Sequence, residues 1–231
     1  MAGERNGRQG YYARKLSGER LRRCYEVAPP RARAYLEAEI AFIDQSAPPE
    51  GRILELGCGY GRVLRPLAAP GRALFGIDTS IESLALGRTF LRGAGGARLA
   101  CMDAARLGFP GGVFDLVVCA QNGISAFHVD QTALVEEAAR VTRPGGRALF
   151  SSYSDRFWEG RIEWFRAQAA HGLVGEIDEE ATGDGVIVCR DGLRLGTVGP
   201  SAFRALAASL GLRARIEEVA RSSLFCIIAV G

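Results

Sequence analysis

Between Arg52 and Arg62 the chain reads R-I-L-E-L-G-C-G-Y-G-R, a short apolar run that passes through Glu55 into glycines at 57, 59 and 61. Glycine takes positive φ without a Cβ penalty and lets a ligand approach the backbone, so these three form a smooth ledge at a strand end. The residues that follow, R-V-L-R-P-L-A-A, predict a helix over 62–69 whose unpaired first N–H groups face the ledge. An anionic group, such as an amino-acid carboxylate, suits that position. The pattern is that of a nucleotide-cofactor loop, though not of the dinucleotide kind. That fingerprint needs glycines at positions one, three and six, and here the sixth is Arg62 while Gly61 stands fifth. A nicotinamide-dependent oxidoreductase is disfavoured on that ground.

The segment E-L-G-C-G-Y-G resembles motif I of the class I S-adenosylmethionine-dependent methyltransferases, an acid, any residue, then G-x-G-x-G. Further segments match the same family in order. A-L-F-G-I-D-T-S places Asp78 at the end of an apolar run, 21 residues after Gly57, where a carboxylate accepts both hydroxyls of a ribose. L-A-C-M-D-A looks like the family segment whose acid binds the adenine amino group while its apolar neighbour packs on the ring, roles that fall to Asp103 and Met102. F-D-L-V-V-C-A-Q-N resembles the fourth strand, and V-T-R-P-G-G-R-A-L-F-S-S the Pro-Gly-Gly turn into the fifth. The resemblance is close over residues 50–152 and looser elsewhere, and it is to the small-molecule branch of the family.

That resemblance implies S-adenosyl-L-methionine as cofactor and S-adenosyl-L-homocysteine as product. It implies a cofactor site made of Glu55, Gly57, Cys58, Gly59, Gly61, Asp78, Thr79, Met102, Asp103, Ala104, Ala120 and Gln121, with Tyr12 contributed by a leader that folds over the cofactor. The implied reaction is methyl transfer to a nucleophilic oxygen, nitrogen or sulfur of a small molecule, by in-line displacement at the sulfonium methyl. Such chemistry requires neither a metal nor a covalent residue, and a base only where the nucleophile is protonated. His128, after the fourth strand, is the candidate base, set against a plain helix-start histidine. Tyr25, Asn122 and Trp164 are the candidate substrate contacts; a turn-forming role competes for Asn122, and lid packing for the aromatics. Cys58 reads as a small loop residue. A sensor or partner subunit that binds the cofactor without turning it over is the alternative.

Strands at about 52–56, 73–77, 98–101, 114–119 and 147–152 alternate with helical stretches, which predicts a parallel sheet whose strand ends gather the motifs. With closing strands at about 213–219 and 224–230, the expected architecture is α/β. It is a three-layer Rossmann-like methyltransferase fold with a seven-stranded, mostly parallel sheet and an antiparallel last strand. The chain reads as one domain over 1–231: a helical lid over 1–49, the cofactor core over 50–152, an α+β insertion roofing the substrate over 153–199, and a closing helix and strands over 200–231. Within the insertion, Asp155 is the expected N-cap of a helix, and an Asp-Gly turn at 191–192 joins two short strands. The first ten residues are polar and expected to be mobile.

Composition narrows the partners. The 29 basic and 26 acidic residues leave a net charge of +3 with no basic block, so nucleic acid is not an expected substrate. No stretch reaches the about 18 to 20 apolar residues of a membrane span, and the start of the chain lacks a signal-peptide core. The expected setting is cytoplasmic, as a monomer or homodimer acting on a small-molecule acceptor. Six cysteines at 24, 58, 101, 119, 189 and 226 form no C-x-x-C pair, so neither a zinc site nor a disulfide framework is indicated.

Overall fold

A computed structural model of the chain describes residues 11–231; the expectation of mobility for 1–10 lies outside the described residues. The leader forms α1 (Tyr11–Lys15), α2 (Gly18–Glu26) and α3 (Pro30–Ser46). The core follows as β1 (Gly51–Leu56), β2 (Arg72–Asp78), α4 (Ile81–Phe90), β3 (Arg98–Cys101), β4 (Phe114–Cys119), α5 (Gly123–Ala126), α6 (Gln131–Val141) and β5 (Thr142–Tyr153). The remainder is α7 (Trp158–Ala170), β6 (Ile187–Val188), β7 (Arg194–Leu195), α8 (Pro200–Ser209), β8 (Ala214–Val219) and β9 (Ser223–Ala229).

Seven strands pair in the order β3-β2-β1-β4-β5-β9-β8, and β9 runs antiparallel to both of its neighbours. Both faces are covered, which explains the unbroken apolar runs of the central strands. Alternation still sorts the side chains. Leu54, Val117, Cys119 and Phe150 enter one core with α6 and α8, whereas Ile53, Leu116, Val118 and Leu149 enter the other with Ile43 and Leu84. The Pro-Gly-Gly segment is a bulge inside β5. Pairing steps from Phe114 with Thr142 to Leu116 with Arg147, and Gly145, at φ +77°, donates its N–H to the Val230 carbonyl at 2.8 Å.

Three local expectations are corrected. Residues 62–69 form a run of turns and not a helix: Arg65 N bonds Gly61 O at 3.0 Å, but Leu67 and Ala68 already reach back only three residues. Pro66 has no N–H to donate, so helical pairing cannot propagate through it. Asp155 does not cap α7. Ser154 instead accepts from Arg156 N at the start of a 3-10 turn over Asp155–Phe157, and α7 follows from it. The insertion also sits elsewhere than expected. Its Trp164, Phe165, Ile187, Cys189, Leu193 and Leu195 form a third core with Leu16, Cys24, Ala32 and Tyr35 of the leader. It thus buttresses the leader from outside. Tyr11 hydroxyl donates to the Asp191 carboxylate, Lys15 Nζ to Asp191 O at 2.7 Å, and Arg20 to the carbonyls of Gly172 and Leu173 at 2.9 Å each.

Candidate functional site

The glycine ledge is built as the sequence reads. Gly57, Gly59 and Gly61 have φ of +69°, +53° and +89°, values that side-chain-bearing residues rarely adopt. The backbone then folds back on β2: Cys58 N bonds Ile77 O at 2.8 Å, and Gly59 N bonds Asp78 Oδ2 at 2.8 Å. Asp78 Oδ1 accepts from Ser80 N at 2.8 Å. Each carboxylate oxygen retains a free lone pair for a pair of hydroxyls. Burial raises the Asp78 carboxyl, and these backbone N–H groups oppose the rise.

Two adjoining cavities open over the C-terminal ends of β1, β2 and β4. The larger, about 170 Å³, is bordered by Gly57, Asp78, Thr79, Met102, Asp103, Ala104, Ala120 and Gln121 below. Tyr12, Leu16, Leu21 and Tyr25 of the leader border it as well, together with Phe127 and Tyr153. The smaller, about 40 Å³, lies against Glu55, Cys58, Gly59, Arg62 and Gln121. Glu55 is buried, with Oε2 lacking a hydrogen-bond partner among the described residues. Burial holds its carboxyl well above the ordinary range against the pull of Arg62.

Thirteen of the expected site residues therefore border these cavities, Glu55, Gly57, Cys58, Gly59, Asp78, Thr79, Met102, Asp103, Ala104, Ala120, Gln121, Tyr12 and Tyr25. Four do not. Gly61 packs against Leu91, and a Cβ there would strike that side chain at 2.6 Å. His128 is exposed on a φ of +53°, while its neighbours Phe127 and Val129 take the places at the cavity. Trp164 is 2% exposed and spends its indole N–H on Cys24 O at 2.9 Å, so it fastens α7 to α2. Asn122 is fully buried: Nδ2 donates to Gly196 O at 2.9 Å and Oδ1 accepts from Ser152 Oγ at 2.8 Å. Asn122→Ala is expected to lose about 1–3 kcal/mol of stability through the orphaned Ser152 and Gly196 groups. Equilibrium urea unfolding measures it, and an unchanged midpoint would remove the clamp from Asn122.

Cys58 is 4% exposed and its thiol is pushed well up by burial, with Glu55 and Asp78 adding to the rise. It packs as a small residue, its Sγ lying where a Gly76 side chain would stand.

Sequence reading missed the group that ties the leader to the strand ends. Glu39 of α3 is fully buried, and its Oε1 accepts from Gln121 N at 2.9 Å, Ser151 Oγ at 2.6 Å and Tyr35 hydroxyl at 3.4 Å. Its Oε2 faces Arg62 Nη2 at 3.7 Å. Arg62, which stands where a dinucleotide loop has its third glycine, also donates to Gln121 Oε1 at 3.0 Å and lies 4.7 Å from the Tyr25 ring centre. A polar residue at a position the helical spacing assigns to the core was the available signal for Glu39. Phe127 and Tyr153 carried none.

Among the described residues no three His, Cys, Asp or Glu side chains gather as metal ligands, and no helix is long and apolar enough to cross a membrane.

Known proteins share this arrangement. Residues 53–146 match a family model described as a methyltransferase domain. The chain is 29% identical over 148 residues to the 2-methyl-6-phytyl-1,4-hydroquinone methyltransferase of Synechocystis sp., covering 57% of this chain and 46% of that protein. It is 33% identical over 121 residues to the ubiquinone biosynthesis O-methyltransferase of Aromatoleum aromaticum, covering 50% of each. The chain thus spans about half the length of the curated relatives it matches. Among solved structures, the PH0226 protein from Pyrococcus horikoshii OT3 superposes with a TM-score of 0.67 at 19% identity, over 89% of this chain and 94% of that one. Magnesium protoporphyrin IX methyltransferase from Synechocystis PCC 6803, solved with bound S-adenosylhomocysteine, superposes at 0.61 and 16% identity over 92% and 94%. At those identities the structural likeness speaks for the fold alone. Residues 53–146 thus match a methyltransferase domain, and the motif order and the sheet order are those of the class I S-adenosylmethionine-dependent methyltransferase fold.

Proposed function

We propose that the chain transfers the methyl group of S-adenosylmethionine to a small, largely apolar acceptor held between the leader and the β4 strand end. The observation that carries this reading is the larger cavity, which joins a cofactor-type floor of Asp78, Met102 and Asp103 to aromatic walls of Tyr12, Tyr25, Phe127 and Tyr153. The relatives named for quinone and hydroquinone methylation point the same way, towards a ring that carries oxygen.

The chain's residues fit the cofactor. Asp78 offers its remaining lone pairs to ribose hydroxyls, Asp103 accepts from the adenine amino group, and Met102 packs on the ring. The buried Glu55 Oε2 without a partner, beside Arg62 in the smaller cavity, suits an ammonium and a carboxylate on one carbon. When bound, S-adenosylmethionine supplies a methyl group on a positively charged sulfur, which leaves as a neutral thioether when the acceptor's lone pair takes the methyl.

The protein's remaining task is orientation and exclusion of water. Leu16, Leu21 and Tyr25 close the site from the leader, and the insertion holds the leader down through Trp164 and Asp191. Tyr12 and Tyr25 phenols are raised by burial, and that of Tyr153 is pushed up to about 12. They stay protonated at neutral pH and act as hydrogen-bond donors.

Calorimetric titration with S-adenosylmethionine, S-adenosylhomocysteine and NADH tests the reading. Binding of the first two and not of the third is expected; binding of NADH alone overturns it. Asp78→Ala is expected to weaken S-adenosylmethionine by about 1.5–3 kcal/mol, the worth of hydrogen bonds to a charged group, and to lower the melting temperature through the Gly59 and Ser80 N–H groups it leaves unpaired. Unaltered affinity would move the ribose away from Asp78. A screen for methylated product separates catalysis from binding without turnover.

A further inference from the structure

Gln121 has a side-chain amide whose orientation is forced. Arg62 Nη2 lies 3.0 Å from Oε1, and a guanidinium has donors only, so the atom it meets must be the amide oxygen. The Tyr25 hydroxyl donates to the same oxygen at 2.7 Å. Both lone pairs of Oε1 are then occupied. The other end of the amide, Nε2, meets no partner among the described residues, and Gln121 borders both cavities. The Gln121 side chain therefore has its acceptor occupied and its N–H donors unpaired among the described residues.

The backbone keeps the amide there. Gln121 and Asn122 both sit at left-handed φ, +51° and +59°. Glu39 holds the first through its N–H, and Ser152 with Gly196 hold the second through its side chain. The carboxylates of the larger cavity stand apart from this end. Asp78 closes β2 and Asp103 follows β3, with β1 between them and β4 in the sheet, and each already accepts a backbone N–H. Tyr12, Tyr25 and Tyr153 line the same cavity, with Thr79, Ser80 and Ser83 following Asp78 in the chain.

We propose that Gln121 Nε2 donates a hydrogen bond to an oxygen atom of the methyl acceptor, so that the site selects oxygen-bearing aromatic rings, phenols and catechols, over protonated amines. An ammonium has no lone pair to offer the amide, so it leaves Nε2 unpaired. The inference rests on the methyltransferase reading and adds the polarity of the acceptor.

The test uses the full chain with S-adenosylhomocysteine present, titrated with 4-methylcatechol, 4-methylphenol and 4-methylbenzylamine. The wild type is expected to bind the two phenolic probes more tightly than the amine by about tenfold or more, the effect of one hydrogen bond made or left unmade. Gln121→Glu keeps an oxygen for Arg62 and Tyr25 but turns a second oxygen to the cavity, and should reverse the preference. Gln121→Met, close in size and without amide donors, should abolish it. The acceptor preference of both variants is compared at saturating S-adenosylhomocysteine, because Gln121 also borders the cavity that holds Arg62. The proposal is overturned if the wild type prefers the amine or binds none of the three. It is equally overturned if the variants, saturated with S-adenosylhomocysteine, keep the wild-type preference. A wild type that fails to bind S-adenosylhomocysteine overturns the underlying methyltransferase reading as well.

Discussion

Glu39→Ala is expected to cost about 3–5 kcal/mol of folding stability, the range for removing one partner of a buried ion pair and leaving the other uncompensated. The carboxylate is fully buried, and the Arg62 side chain opposite it is only 14% exposed. Truncation would strand three donors at once, Gln121 N–H, Ser151 Oγ and Tyr35 hydroxyl. It would also release Gln121 from a left-handed conformation that costs about 1–3 kcal/mol to hold in a residue with a side chain. Glu39→Gln should retain much of the lost stability, because an amide oxygen can take the place of Oε1. Burial pushes the wild-type carboxyl up, opposed by Arg62, and the amide keeps an acceptor for the three donors. Urea denaturation with matched m-values reads both variants. If the alanine variant unfolds within about 1 kcal/mol of wild type, below the cost of even one stranded donor, Glu39 does not hold the loop.

Gly57→Val is expected to abolish cofactor binding while Gly93→Val leaves it intact. At Gly57 a Cβ would come within 2.3 Å of Phe127 Cζ and 2.5 Å of Cε1, and the backbone φ of +69° is strained for any β-branched residue. At Gly93, at φ +81°, a Cβ meets nothing within 4 Å, so the pair separates crowding from backbone strain alone. Gly59→Val makes an intermediate case, since its Cβ would meet Leu21 Cδ2 at 2.9 Å, the far end of a flexible side chain. Titration of all three with S-adenosylhomocysteine ranks them. Equal affinities across the series would mean that the ledge at Gly57 is not where the cofactor lies.

The leader and the insertion divide the labour differently from what the chain order suggests. Aromatic residues in a long insertion after the fifth strand invite a substrate roof, yet of residues 153–199 only Tyr153, the last residue of β5, borders either cavity. Those aromatics face the leader, and the leader faces the site. On the proposed reading, Tyr12, Leu16, Leu21 and Tyr25 share the choice of acceptor with Gln121, Phe127 and Tyr153, and the insertion holds the leader in place.

What the sequence by itself determined is what short stretches of chain enforce. Glycine spacing after an apolar strand produced the ledge, because positive φ is a local property; period-two and helical patterns located every strand of the sheet, because burial on a strand or helix repeats locally. Asp78 was legible as an acid at a strand end, while Met102 and Asp103 were named by the family resemblance. Only the tertiary structure decided which side chains complete the site. Glu39 reaches Gln121 across 82 residues and Ser151 across 112, and Tyr153 and Phe127 enter the cavity by packing rather than by motif. It also withdrew His128, Asn122 and Trp164, whose residue types suit chemistry but whose atoms are exposed, clamped or spent on backbone carbonyls. A side chain's type announces what it can bond, but its partner is set by elements far away in sequence, and Gln121 shows the difference: an amide offers donor and acceptor alike until Arg62 occupies one end.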